Sequence, residues 1–241
     1  MNSFLNLIGV DLSVLQGYGP LLLHGAWVTL KVAALSLLVS MALGLLGAAA
    51  KLSPLKLLNL PATVYTTLIR GVPDLVLMLL IFYSLQGWLS SLTEAMGLPY
   101  LEIDPFAAGI VTLGFIYGAY FTETFRGSIL SVPRGQQEAA ACFGLNRWQR
   151  FRFVVFPQMM RFALPSLGNN WLVLLKATAL VSIIGLSDLV KVAQEAGKST
   201  FNMLDFLLLA AALYLLITSV SNYVLRMLER RYNQGVRGMA R

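Results

Sequence analysis

The sequence predicts an all-α protein that crosses a membrane several times, and three observations lead to that fold class. Of the 241 residues, 57% are hydrophobic and only 12% are charged, whereas soluble domains carry about 25% charged residues. The charges are clustered, so that long apolar stretches contain none. The basic residues concentrate between alternate stretches, as they do in the cytoplasmic loops of membrane proteins. Together these observations indicate that lipid is the solvent of the chain.

Five stretches are long enough to cross the hydrocarbon core, which needs about 20 helical residues. Four of them contain a long run without any Asp, Glu, Lys or Arg, and the fourth in chain order is interrupted by Lys176. The chain is therefore treated as one transmembrane domain over residues 1–241, with crossings at about residues 22–50, 60–91, 105–126, 162–187 and 206–228.

The basic residues also predict the orientation. No Lys or Arg precedes Lys31, so the start of the chain lacks the charged beginning of a signal peptide, and residues 1–19 are interpreted as a short interfacial segment. Of the 18 Lys and Arg residues, 13 lie after the first, third or fifth crossing or, as Arg126 and Arg226 do, in its last residues. This places the amino terminus in the periplasm and the carboxyl terminus in the cytoplasm. The net charge of +7 then requires no nucleic-acid partner.

The first crossing contains Gly44 and Gly47, which lie about one helical turn apart and favour close contact with another helix. The second element, Leu57–Thr93, has 37 residues and as a straight helix would be about 55 Å long, nearly twice the hydrocarbon thickness. Pro73 predicts a break there, because proline removes an amide donor. Interrupted backbone at this depth borders protein or a wet cavity. Asp74 would cap the half-helix that follows.

The third crossing leads into the one large cytosolic excursion, residues 127–161, which is basic and contains no run long enough to cross. Helix-forming residues end at Gly144, a residue that suits a helix C-terminus. A second short helix is predicted from Arg147 to Phe156, ending at Pro157. The fourth and fifth crossings follow this loop.

Several segments, the loop among them, resemble one known family. Glu138-Ala139-Ala140, with Gly144 and Phe156-Pro157 beyond, is similar to the EAA loop of permease subunits in ABC importers. Further segments resemble the polar amino-acid branch of that family, in particular the Q-type subunits of histidine and lysine-arginine-ornithine permeases; these are Thr67–Pro73, Gly118–Gly127, Gly168–Trp171 and Lys176–Leu180.

The resemblance implies a type I fold of five helices in the bacterial inner membrane. It also implies a second homologous permease subunit, two ATP-binding cassette subunits and a periplasmic binding protein. The chain itself would be no enzyme and would hold no cofactor, since the partner ATPase would bind ATP and Mg²⁺. Gly197–Thr200 imitates the end of a P-loop, but Val192 stands where the first glycine belongs. With a single His and a single Cys, no metal site is predicted.

Two groups of site residues follow. The coupling helix would be anchored by Glu138, approach the ATPase closely at two alanines and turn back at a glycine; the predicted coupling residues are Glu138, Ala139, Ala140, Gly144 and Arg147. Arg70, Glu123 and Lys176 are ionisable residues at membrane depth, where each costs about 3 kcal/mol at a helix centre, so they must be paired or hydrated.

We hypothesise that these charges line the substrate pathway, with Glu123 meeting the cargo's cationic side chain and Arg70 its carboxylate. The candidate pathway also includes Tyr120, Asp74 and Thr178. The structural alternative pairs Glu123 with Arg126, Arg70 or Lys176, makes Asp74 a helix cap and leaves Tyr120 packed.

The resemblance to the histidine and lysine-arginine-ornithine permeases implies import of cationic amino acids, namely histidine, arginine, lysine and ornithine. A permease for glutamine or glutamate stays an alternative because the intramembrane charges have both signs. A secondary transporter is the rival class, but it requires internal repeats, which five crossings do not offer.

Overall fold

The computed structural model describes residues 17–232, and within that range every regular element is helical. The helices are α1 (Gly19–Leu52), α2 (Lys56–Gly71), α3 (Asp74–Ala95), α4 (Pro105–Leu130), α5 (Arg134–Cys142), α6 (Arg147–Arg150), α7 (Phe156–Ala177), α8 (Leu189–Thr200) and α9 (Met203–Tyr232). Most of the predicted interfacial segment, residues 1–16, and the end of the basic tail lie outside the described residues.

Five helical segments are long and apolar enough to cross a membrane, which confirms the predicted fold class. They are Gly19–Leu52, Asp74–Ala95, Pro105–Leu130, Arg147–Ile184 and Met203–Tyr232. The second segment is shorter than the predicted crossing, and the other four are longer. The chain is thus a multi-pass, all-α membrane protein over its described range.

The second predicted element is interrupted at the expected place. Helix α2 ends at Gly71, Val72 is extended at φ −113° and ψ 141°, and Pro73 precedes α3. Only α3 has the length and composition of a crossing, so the prediction of one crossing over residues 60–91 merged two separate helices. Asp74 does not cap α3, because Pro73 occupies the N-cap position and Asp74 lies in the first turn. A carboxylate there is still favoured by the helix dipole.

The predicted stop at Pro157 is wrong. Helix continues from Arg147 to Ile184, and a π-helical turn at Phe151–Val155 directly precedes the turn that contains Pro157. A proline has no amide hydrogen to donate to the previous turn, and the wider hydrogen-bonding of a π turn accommodates such an interruption. At the other end, α7 tightens into a 3₁₀ turn, Thr178–Ile184, which ends at Gly185 with φ 108°.

The chain forms two compact units. The first consists of the described residues up to Leu38 together with Pro73–Gly114 and Leu174–Thr218. Its buried core joins α1, α8 and α9 through Leu22, Ala26, Leu189, Val192, Ala193, Ala196, Phe206 and Ala210. The one-sided apolar pattern of α8 explains why this short helix packs there.

The second unit consists of Val39–Val72, Phe115–Val173 and the described residues from Ser219 onward. Here α1 and α4 approach each other closely at the two predicted glycines. A Cβ on Gly47 would lie 2.2 Å from the Thr122 hydroxyl oxygen, and one on Gly44 would lie 2.5 Å from the Phe121 Cβ. The predicted close helix contact is therefore confirmed, and it holds the ends of α1 and α4 together.

Candidate functional site

A cavity of about 510 Å³ lies within the second unit, lined by Lys51, Thr66, Thr67, Arg70, Gly71, Tyr120 and Glu123. Three helices supply these residues. Lys51 comes from the last turn of α1, Arg70 lies one turn after Thr66 on α2, and Glu123 lies almost one turn after Tyr120 on α4. Residues three and four apart share a helix face, so α2 and α4 each present a polar pair to the cavity.

Glu123 is the electrostatic centre of this cavity. One carboxylate oxygen pairs with the Lys51 ammonium, and the other accepts from Arg126 Nε at 3.0 Å and lies 2.9 Å from Arg126 Nη2. The Glu123 side chain is 17% exposed and the Lys51 side chain 12%. Lys51 Nζ also donates to the Thr66 hydroxyl at 2.9 Å. Both oxygens of a mostly buried carboxylate are thereby neutralised.

Arg70 is held differently. Its guanidinium lies 5.6 Å from the centre of the Tyr120 ring, a cation–π distance, and Tyr120 stacks on Tyr117 with ring centres 5.5 Å apart. The side chain is exposed, and no carboxylate in the described part of the chain pairs with it. A stacked guanidinium with open donors can receive a planar anion such as a carboxylate.

The structure brings Arg70, Tyr120 and Glu123 together, as the substrate hypothesis requires, but Glu123 also pairs with Arg126, as the structural alternative states. Asp74, Lys176 and Thr178 belong to the first unit. The Thr178 side chain is buried, and its hydroxyl donates to the Leu175 carbonyl at 2.7 Å.

Lys176 is exposed, and no hydrogen bond or ion pair involves its side chain within residues 17–232.

Sequence reasoning missed four of the cavity residues, of which Lys51 is the charged one; the others are Thr66, Thr67 and Gly71. Lys51 was assigned to the loop after the first crossing, where a lysine needs no explanation. Its nearness to Glu123 follows from the contact of Gly44 and Gly47 with α4, which aligns the ends of the two helices. The two glycines are therefore the sequence signal from which the contact between Lys51 and Glu123 could have been predicted.

The predicted coupling helix is α5, Arg134–Cys142. Ala140 is buried at 5% exposure, whereas Glu138 and Ala139 are exposed. A second cavity of about 360 Å³ opens beside this helix, lined by Arg134, Gln137, Glu138, Ala141 and Arg150. Helix α5 therefore presents small side chains and charged side chains at its surface.

The turn after α5 confirms the predicted helix end. Gly144 has φ 77°, its amide donates to the Ala141 carbonyl at 2.9 Å, and the Leu145 amide donates to the Ala140 carbonyl at 3.2 Å. This crossed pair of bonds with a left-handed glycine is a Schellman motif. Arg147 is exposed and begins α6, whose capping box is formed by Asn146.

Three exposed aromatic side chains flank the same turn, and we refer to them as the aromatic patch. Phe143, before the turn, is 86% exposed, and Trp148 and Phe153, after it, are 70% and 66% exposed. Exposed aromatic residues are enriched at contact sites with other proteins. Residues Gly197–Thr200, the imitation of a P-loop, instead form the last turn of α8, where the Ser199 and Thr200 hydroxyls bond the Ala196 carbonyl.

A protein family described as the inner membrane component of binding-protein-dependent transport systems matches residues 40–234. The chain belongs to this family. The matched range contains all of the residues that line the 510 Å³ cavity and both helices of the loop, α5 and α6.

Two relatives and one solved structure point to the same kind of permease. The permease is 57% identical over 224 residues to the histidine/lysine/arginine/ornithine transport system permease protein HisQ of Escherichia coli, covering 93% of this chain and 98% of HisQ. It is 41% identical to the nopaline transport system permease protein NocQ of Agrobacterium fabrum, covering 95% and 99%. A crystal structure of an amino acid ABC transporter with histidines has a TM-score of 0.79 at 34% identity, covering 92% and 99%. The chain is thus an ABC importer permease subunit of the polar amino-acid family.

Proposed function

We propose that this permease conducts cationic amino acids across the bacterial inner membrane into the cytoplasm, with its amino terminus in the periplasm and its carboxyl terminus in the cytoplasm. The cavity around Glu123 and Arg70 carries the proposal. Its volume of about 510 Å³ falls in the range of small-molecule sites, and it offers groups of both signs, which an amino acid requires.

Each end of the cargo has a suitable partner in this cavity. Arg70 can receive the α-carboxylate, because its guanidinium is stacked on Tyr120 with donors open. Glu123 can receive the ammonium, imidazolium or guanidinium of a cationic side chain. The printed names of HisQ and NocQ, which concern histidine, lysine, arginine, ornithine and nopaline, support cargo of this class. The pathway roles of Asp74, Lys176 and Thr178 stay predictions.

The energy for transport would come from partners. We propose that a second homologous permease subunit completes the membrane domain, that two ATP-binding cassette subunits bind and hydrolyse ATP with Mg²⁺, and that a periplasmic binding protein delivers the cargo. Helix α5 would receive the motion of the ATPase through Glu138 and Ala139, while Gly144 turns the chain back. The exposed patch at Phe143 and Trp148 is available to widen that contact.

Uptake by the reconstituted complex tests the role of Glu123. Glu123→Gln removes the negative charge and keeps the side-chain size, and Glu94→Gln serves as control because Glu94 is an exposed carboxylate in the other unit. We expect arginine and histidine uptake to fall at least tenfold in the first variant and to stay normal in the second, with equal amounts of assembled complex. Normal uptake by Glu123→Gln would overturn the proposed role.

A permease for glutamate is the second candidate, and the charge of the cavity favours it. Lys51 and Arg70 line the cavity with a single carboxylate, and Arg126 binds that carboxylate as well. Uptake of radiolabelled arginine and glutamate by the complete complex separates the two candidates. Under the first proposal arginine is taken up and excess lysine or ornithine inhibits its uptake. Under the second proposal glutamate is taken up, and excess glutamine but not lysine inhibits its uptake.

A further inference from the structure

Lys51 occupies the position that a cationic cargo would take. Its ammonium pairs with one oxygen of Glu123 and donates to the Thr66 hydroxyl at 2.9 Å. The Lys51 side chain is only 12% exposed, so its charge is directed into the cavity. The ammonium group of lysine or ornithine as cargo is chemically the same group.

The carboxylate requires such a partner. Glu123 is 17% exposed, and a charge withdrawn this far from water is destabilising unless it is paired. Arg126 satisfies one oxygen. Without Lys51 the other oxygen would face the cavity with no hydrogen-bond donor from the described residues, so in an empty pathway one oxygen of the buried carboxylate would be unsatisfied.

The two cations differ in how easily they can leave. Arg126 lies one turn from Glu123 on the same helix and contacts its oxygen through two nitrogens, at 3.0 and 2.9 Å. Lys51 comes from another helix, contacts Glu123 through one nitrogen, and has a flexible four-carbon stem. It also has a second acceptor in Thr66. Lys51 is therefore the displaceable cation, and Arg126 is the fixed one.

We propose that Lys51 is a tethered substitute for the cationic cargo, which neutralises Glu123 in the empty cavity and withdraws towards Thr66 when the cargo's cationic group arrives. This inference rests on the proposed function, since it presupposes a cationic cargo at Glu123. Cargo then binds by exchange, and the cavity-facing oxygen of Glu123 always has a cationic donor.

Exchange has a measurable consequence. A competing group that occupies the site for nine tenths of the time weakens the apparent affinity of the cargo about tenfold. Removing Lys51 therefore tightens the binding of a cationic amino acid, whereas removal of a purely structural ion pair weakens binding or leaves it unchanged. A neutral amino acid has no cationic side chain to compete with Lys51 for Glu123, so its affinity does not respond.

The experiment measures binding of radiolabelled arginine and glutamine to the assembled complex with its ATPase and partner permease, solubilised without binding protein. Lys51→Met is expected to bind arginine about tenfold more tightly than wild type and glutamine equally, and the gain is expected to vanish in the Lys51→Met/Glu123→Gln double variant. Unchanged or weaker arginine binding by assembled Lys51→Met would overturn the inference.

A second variant covers the case in which Lys51→Met fails to assemble. Lys51→Arg keeps the ion pair and adds a fork that pairs more strongly with a carboxylate, so it is expected to weaken arginine binding several-fold and to leave glutamine binding unchanged. Arginine binding like wild type in Lys51→Arg would contradict the exchange. Wild-type complex that binds no cationic amino acid would instead contradict the proposed function itself.

Discussion

The turn at Gly144 allows a sharp prediction about coupling. Gly144 has φ 77°, and a Cβ added there would meet nothing within 4 Å. Replacement by alanine therefore introduces no clash, and its whole effect is the conformational penalty of a left-handed residue. That penalty is about 1–2 kcal/mol for an L-residue.

The same helix provides a matched control. Gly135 lies inside α5, also has open space around its Cβ position, and does not have a positive φ. Gly135→Ala adds the same methyl group but should stabilise the helix by about 0.5–1 kcal/mol. Any difference between the two variants thus reports the backbone conformation at Gly144.

We expect Gly144→Ala to uncouple ATP hydrolysis from transport. A penalty of 1–2 kcal/mol changes an equilibrium between the formed and the open turn by about 5–30-fold, which shifts the end of α5 that the ATPase would contact. Arginine uptake and ATP hydrolysis are measured together in proteoliposomes that contain the complete importer. Uptake per ATP should fall several-fold in Gly144→Ala, fall less in Gly144→Asn, since asparagine tolerates this conformation, and stay normal in Gly135→Ala.

Equal uptake per ATP in Gly144→Ala and Gly135→Ala would refute the reasoning. It would mean that the Schellman turn has no part in transmitting motion.

Three further predictions concern packing, pH and docking. Gly47→Ala should destabilise the permease by about 1–3 kcal/mol through overpacking, because its Cβ would lie 2.2 Å from the Thr122 hydroxyl oxygen. Gly87→Ala should not destabilise it, because a Cβ there would meet nothing within 4 Å. Thermal unfolding in detergent compares the two variants. Burial raises the pKa of Asp188, whose carboxyl is fully buried, from 3.8 to about 6. The folded state therefore binds this proton more tightly than the unfolded state, and Asp188 favours folding most below pH 4. Its contribution to the free energy of unfolding falls by about 3 kcal/mol as the pH rises from there through 6. Unfolding temperatures at several pH values should show this loss in wild type, and Asp188→Asn should abolish it; an identical pH profile in the variant would exclude Asp188 as its source. Phe143→Ser should leave the permease folded, because Phe143 is 86% exposed, yet weaken retention of the ATPase on affinity purification; full retention would exclude the aromatic patch from that contact.

Much of the fold could be predicted because its physical causes are local. Hydrocarbon thickness sets the length of each crossing, Pro73 removes a helix hydrogen bond and favours extended backbone at Val72, and Gly144 suits a left-handed turn. These constraints act through one residue or one continuous segment. The five crossings, the break before α3 and the end of α5 therefore follow from the sequence.

The rest depends on contacts between distant segments. Lys51 and Glu123 are 72 residues apart, and only the packing of α1 on α4 brings them together. The continuation of helix through Pro157 depends on a π turn, which has no clear signal in sequence. The candidate site also carries one more positive charge than the sequence predicts, because Lys51, which the sequence places in a loop, lines the cavity together with Arg70.

The central claim is that this permease imports cationic amino acids with energy from a separate ATPase. The most direct test is ATP hydrolysis by the complete complex in proteoliposomes, stimulated by the binding protein loaded with arginine, histidine, lysine, glutamine or glutamate. We expect the largest stimulation with arginine, histidine or lysine. Maximal stimulation with glutamate, and none with arginine or histidine, would contradict the account.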